Sequence, residues 1–210
     1  MKKKADPAPI LWEHDRDLLP VSGFLCGIDE VGRGPLAGNV VAACVILDLS
    51  AEFIPGVNDS KKVSPETREA LFPLIQERAV TWSIGEATPE EIDELNILQA
   101  TFLAMRRALE SLTIKPALLL VDGNQTIPGI NLPQKTLVGG DSLSASIAAA
   151  SILAKVVRDR QMEEWDQRFP EYGFAQHKGY GTSFHNEALN KHGLSLIHRR
   201  SFCGRLSTIS

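Results

Sequence analysis

The stretch Gly23-Phe24-Leu25-Cys26-Gly27-Ile28-Asp29-Glu30-Val31-Gly32-Arg33-Gly34-Pro35 runs from apolar residues straight into two adjacent acids and then into a turn-prone glycine pair. It reads as a strand that delivers Asp29 and Glu30 to its end. Val40 to Leu47, rich in Val and Ile, is a second strand, and Val80 to Gly85 alternates as a third, which together predict an antiparallel meander. Between the last two, Ser64-Pro65-Glu66-Thr67 has the cap, first-turn proline and early acid of a helix start, followed by an apolar stripe at Leu71, Leu74 and Ile75. Thr88-Pro89-Glu90-Glu91 repeats that signal and opens one long helix that ends near Leu112. Ala117 to Val121 is a short continuous apolar run, as expected of a buried parallel strand reached by a helical crossover, and it too ends on an acid, Asp122.

Lys135 to Val138 reads as a short edge strand before Gly139-Gly140-Asp141-Ser142. Ser144 to about Phe169 contains neither Pro nor Gly and predicts a helix that is buried in its alanine-rich first half and exposed in its charged second half, with Pro170 as its stop. Gly173 to Thr182 is an irregular basic and aromatic loop, and Ser183 to His192 forms a last short helix ending at Gly193. The expected organisation is a loose N-terminal tail over 1–19, a catalytic α/β domain over 20–170 and a helical and loop extension over 171–210 packed on the same domain.

A chain of 210 residues suits one such domain. No run of about 18 or more apolar residues suggests a membrane span, and the basic Met1-Lys2-Lys3-Lys4 lacks the apolar region of a secretory signal, so a cytoplasmic protein without membrane partners is expected. Cys26, Cys44 and Cys203 form no CxxC pair and are expected to be structural and reduced. A formal net charge of −4 excludes binding to nucleic acid by bulk positive charge and leaves only local patches.

Asp29, Glu30, Asp122 and Asp141 each stand where an apolar run gives way to glycine, and the ends of adjacent strands converge in mixed α/β folds. Clustered carboxylates repel one another unless a hard cation neutralises them, and an all-oxygen ligand set suits Mg²⁺ or Mn²⁺. Neighbours such as Asp29 and Glu30 point to opposite faces of a regular strand, so a shared site requires a local twist there. A single acid before a glycine is also an ordinary turn residue. A metal-free glycosidase with paired carboxylates and a noncatalytic phosphate-binding module both stay open on the acids alone. The glycine turn has neither the GxGxxG nor the Walker spacing that the second would use.

Gly27-Ile28-Asp29-Glu30-Val31-Gly32-Arg33-Gly34-Pro35-Leu36-Ala37-Gly38 closely resembles the first signature of ribonuclease HII, the type 2 ribonuclease H family. Asn58-Asp59-Ser60-Lys61-Lys62, Val121-Asp122-Gly123-Asn124, Gly140-Asp141-Ser142, Ala149-Ala150-Ser151-Ile152-Leu153-Ala154-Lys155, His177-Lys178-Gly179-Tyr180-Gly181-Thr182 and Ile197-His198-Arg199-Arg200-Ser201-Phe202 follow in the family's order. The resemblance implies a ribonuclease H-like mixed sheet flanked by helices, with a C-terminal helical part. It also implies that Asp29, Glu30, Asp122 and Asp141 are catalytic acids holding Mn²⁺ or Mg²⁺, and that the substrates are RNA–DNA hybrids and duplex DNA containing ribonucleotides. Asn39, Leu194 and Leu196 depart from residues common in the family, away from the acids. No obligate protein partner is evident, the C-terminus has no obvious sliding-clamp-binding box, and a monomer is the default.

Selecting RNA requires reading the 2′-hydroxyl. Gly32, Arg33 and Gly34, which resemble the family's sugar-sensing loop, are the candidate reader, and Tyr180 resembles the tyrosine that the family stacks on the following sugar. Lys61 and Lys62 are candidate phosphate contacts. Ser151, Lys155 and Arg158 share one helix face expected to run from the acids towards solvent and track a strand backbone. His177, His198, Arg199 and Arg200 are basic enough to touch nucleic acid, but a buried hydrogen-bonding role suits His198 equally, and none is placed in the catalytic set.

Overall fold

The computed structural model describes residues 6–204. Its centre is a five-stranded sheet in the order β3-β2-β1-β4-β5, built from β1 (Leu25–Val31), β2 (Val40–Leu47), β3 (Ala79–Ala87), β4 (Leu118–Asp122) and β5 (Gln134–Leu137). The first three strands form the antiparallel meander, and β4 joins β1 in parallel, followed by β5 parallel to β4. Every residue of β2 is buried: Val41, Ala43, Val45 and Leu47 face one core, while Val40, Ala42, Cys44 and Ile46 face the other. That two-sided burial explains an apolar run without alternation.

The first core lies under α5 (Ala145–Arg168) and α2 (Pro65–Arg78), and the second under α4 (Ile97–Glu110). The alanines at 148–150 let α5 lie close on the sheet, and Gly27 completes the fit: a Cβ there would stand 2.2 Å from the Ser146 carbonyl carbon. Contact this close seats the start of α5 directly behind the end of β1. Beyond the sheet, α6 (Phe174–His177) and α7 (Ser183–His192) pack with the end of α5 around Met162, Tyr172, Phe174, Leu189 and Ile197.

Three expectations change. The tail expected over 1–19 contains α1 (Ala8–Asp17), whose Leu11 and Trp12 sit in the first core; residues 1–5 lie outside the described residues, as do 205–210. Asp15, fully buried, accepts the Ser146 N–H at 2.8 Å and so caps the first turn of α5. The one long helix over 88–112 is two, α3 (Pro89–Leu95) and α4, because Asn96 takes φ 70° and caps α4 by accepting from the Leu98 and Gln99 N–H groups. The loop 173–182 contains the single turn of α6. All three cysteines are buried and free.

Candidate active site

The parallel register pairs Ile28 with Val121, so Asp29 and Asp122 stand side by side on adjacent strands at the end of the β1–β4 pairing. Asp122 Oδ1 accepts the Gly140 N–H at 2.7 Å, which fastens the short 3₁₀ turn Gly140–Ser142, and with it Asp141, to the same strand end. Behind them Ser151 of α5 is buried, hydrogen-bonds Asp29, and meets Ser60 Oγ at 2.8 Å. Thus β1, β4 and the entry to α5 bring the four sequence-predicted acids into one electrostatic neighbourhood.

The cost of that neighbourhood shows in protonation. Burial, then repulsion from Glu30 and Asp122, raises Asp29 well above the ordinary aspartate value, although Ser151 and the Glu30 N–H hydrogen-bond the carboxylate. Glu30 is raised by burial, with Arg33 opposing from 3.3 Å and Asp122 adding to the rise. Asp141 is raised by burial, by Asp59 and by Asp122. Burial works against the Lys61 cation, yet the pooled attraction of Asp141, Asp29, Asp59 and Asp122 holds it above the ordinary lysine value, with Nζ 3.9 Å from Asp141 Oδ2.

Among the described residues, no three His, Cys, Asp or Glu side chains already stand close enough to hold a metal ion. The donor set nonetheless fits a hard divalent cation: oxygen ligands only, an excess of negative charge, and an exposed lysine as the cation drawn among them. Alongside lies a small open cleft of about 80 Å³, lined by Glu30, Arg33, Asp122 and Asn124 together with the apolar Leu98, Phe102 and Met105.

The glycine turn follows the acids directly. Gly32 has φ +93°, and a Cβ there would stand 2.3 Å from Arg158 Nε, so no side chain fits. Gly34 faces the exposed Tyr180, whose ring lies 3.6 Å from where a Gly34 Cβ would be. Tyr180 is held through its backbone. His185 Nδ1 lies 3.0 Å from the Tyr180 carbonyl and must donate; its Nε2 therefore accepts from His198 Nε2 at 2.9 Å, and His198 Nδ1 accepts the Ser195 N–H at 2.9 Å. Both rings are neutral, with His198 pushed down to about 4 by burial and by His185.

Not every expected contact is available. Arg158 does not face solvent: it is 1% exposed and donates to the carbonyls of Asn39, Ala37 and Lys178. Lys155 bonds Asp159 and is mostly covered, so only Ser151 of that helix face turns to the acids. The face does not form an open backbone track, because Arg158 is turned inward onto carbonyls of residues 37, 39 and 178 and Lys155 is held by Asp159. Lys62 bonds Ser142 at 2.7 Å and Asp59 at 3.1 Å, while Lys61 reaches out beside Asp141. Asp59 is a fifth acid beside Asp141, and its sequence signal is masked by the two lysines that follow at 61 and 62. Arg199, expected as a possible nucleic-acid contact, is instead fully buried behind the glycine turn.

A family model described as Ribonuclease HII matches residues 26–205. The chain belongs to the ribonuclease HII family. The ribonuclease HII of Vibrio vulnificus is 56% identical over 182 residues, covering 86% of this chain and 87% of that one. Among solved structures, the ribonuclease H2 of Pyrococcus horikoshii OT3 is similar at 28% identity with a TM-score of 0.71, over 88% of this chain and 99% of the other. The ribonuclease HII of Archaeoglobus fulgidus, solved in complex with PCNA, is 26% identical with a TM-score of 0.69, over 84% and 93%. As a ribonuclease HII, the chain is a metal-dependent nuclease acting on RNA–DNA hybrids, and its mixed sheet with flanking helices is the ribonuclease H-like fold expected.

Proposed function

We propose that this enzyme hydrolyses the RNA strand of RNA–DNA hybrids and also incises 5′ of ribonucleotides embedded in duplex DNA, leaving 3′-hydroxyl and 5′-phosphate ends, and so serves to remove ribonucleotides from DNA. The observation that carries the proposal is the junction of Asp29, Glu30, Asp122 and Asp141 with the Gly32-Arg33-Gly34 turn. Asp29 and Glu30 lie in β1, and the turn follows one residue later, directly after the strand ends at Val31. A phosphate bound at the acids therefore places its sugar against glycine backbone.

In this reading Asp29, Glu30, Asp122 and Asp141 hold two Mn²⁺ or Mg²⁺ ions. When bound, such ions activate water, neutralise charge at phosphorus and assist the leaving oxygen. Asp29, buried and flanked by Glu30 and Asp122, would supply ligand oxygens to the bound ions. Ser151 orients the Asp29 carboxylate, and Ser60 in turn holds the Ser151 hydroxyl. Lys61, exposed beside Asp141, and Lys62 meet the phosphates. The Gly32–Gly34 backbone reads the 2′-hydroxyl, and Tyr180 stacks on the neighbouring sugar. All of these groups come from one chain, and the reading is of a monomer acting in the cytoplasm.

Two duplexes identical except for one ribonucleotide test the proposal. Incubated with Mn²⁺ or Mg²⁺, the enzyme is expected to incise the first and spare the second, and EDTA is expected to stop it. Equal cutting of both, or activity that survives exhaustive chelation, would falsify it.

A further inference from the structure

Arg199 enters none of the chemistry above, yet its guanidinium is the most heavily engaged group near the site. It is 0% exposed, and among the described residues no carboxylate stands within ion-pair distance of it. All five of its N–H donors are spent on backbone carbonyls of one turn: Nη2 on Gly32 at 2.5 Å and on Gly38 at 2.7 Å, Nη1 on Arg33 at 3.0 Å and Pro35 at 2.7 Å, and Nε on Gly38 at 3.0 Å. A buried cation satisfied wholly by carbonyls constrains whatever supplies them.

In a trans peptide the carbonyl of one residue and the N–H of the next point in opposite directions. Drawing the Gly32 and Arg33 carbonyls inward therefore turns the N–H groups of Arg33 and Gly34 outward. Both residues are exposed, and among the described residues neither N–H has a hydrogen-bond partner. By contrast, the N–H groups of Leu36 and Gly38 are taken by Gly179 and Ile197 at 2.8 and 2.9 Å. The turn is thus closed at one end and presents two free donors at the other, next to Glu30.

The adjacent residue extends the arrangement. His198 holds the Tyr180 carbonyl through His185, so two consecutive residues tie down the two groups assigned to the sugar, one each. Arg158 adds a cross-brace, bonding Ala37 and Lys178 at 3.0 Å each.

We infer that Arg199 is a positioning residue for substrate selection: it aims the Arg33 and Gly34 N–H groups at the ribose 2′-hydroxyl and sets their distance from Tyr180. The inference rests on the sugar-reading role proposed above for this turn. A lysine keeps the charge but offers three donors from one point and cannot span four carbonyls.

The test compares wild type with Arg199→Lys on the single-ribonucleotide duplex, together with thermal melting and calorimetric Mn²⁺ binding. The variant is expected to melt as a folded protein, bind Mn²⁺ normally and keep its KM, which phosphate contacts dominate, while kcat falls about a hundred-fold through misplacement of the sugar. Wild-type kcat in the folded variant overturns the inference, and so does a loss of kcat that comes with lost Mn²⁺ binding. Amide hydrogen exchange on the wild-type protein judges it without any variant. The Arg33 and Gly34 amides are expected to exchange freely in the free protein and to gain protection with the ribonucleotide duplex but not with all-DNA duplex. Protection already present in the free protein overturns the outward aim. If wild type cuts both duplexes alike, it is the substrate reading that fails, and exchange in the free protein still decides the clamp.

Discussion

At the scale of single residues, Asp29 carries a cost in stability. Its protonation lies above the ordinary value because burial and two like charges disfavour the ionised form. The folded state thus binds this proton more readily than the unfolded chain does. Below the unfolded value both states are protonated and there is no penalty; above the folded value the penalty is complete. Asp29→Asn in the absence of metal is therefore expected to raise the melting midpoint at pH 7 by a few degrees, at about 2–4 °C per kcal/mol for a chain of this size. The gain should vanish in acid, and cleavage should be lost at every pH. Melting curves at two pH values check the first claim, and a variant less stable than wild type at pH 7 would contradict it. The four acids were legible because each interrupts an apolar run. Arg199 was not, since a sequence cannot show that an arginine's donors all face backbone carbonyls more than a hundred and fifty residues away.

Among the elements, the strands and α5 were legible because their burial leaves period and composition unmixed. Strand β2 shows no alternation because both its faces are core, and α5 opens with alanines because it lies against the sheet at Gly27. The two helical surprises have a common cause. In α1 only Leu11, Trp12, Ala8 and Asp15 turn inward, and the surrounding polar residues with flanking prolines mask a stripe that narrow. At Asn96 a single left-handed residue re-aims the chain without any break in hydrophobic spacing. Helix α1 is the better place for a test, because it touches the sheet's first core and none of the acids. Trp12→Ala is expected to remove about 3 kcal/mol and so lower the midpoint by about 10 °C, with kcat at low temperature unchanged. A shift of only a degree or two would mean that α1 is as loose as its composition suggests.

For the whole molecule, folding is linked to pH through opposing groups. The raised acids Asp29, Glu30 and Asp141 favour the folded state as pH falls. His198 does the reverse: from an ordinary value of 6.5 it is pushed down to about 4, so between those limits the unfolded chain takes up a proton that the folded one refuses. Its contribution is intact above pH 6.5 and is lost as pH falls towards 4. The stability difference between wild type and His198→Gln, measured by urea unfolding, is accordingly expected to shrink across that window; a difference that stays flat would show that His198 titrates normally. The family's fold and its nuclease chemistry were thus legible from motifs in order. The bracing between the C-terminal segment and the glycine turn was not, because it is made by backbone atoms that leave no trace in composition.

That bracing also orders events during synthesis. The acids are spread from residue 29 to 141, whereas the guanidinium that grips the carbonyls at 32–38 sits at residue 199. A ribosome therefore delivers all four acids proposed to hold metal before it delivers the arginine proposed to aim the amides of the glycine turn. On that proposal, discrimination between sugars is the last property the nascent enzyme acquires.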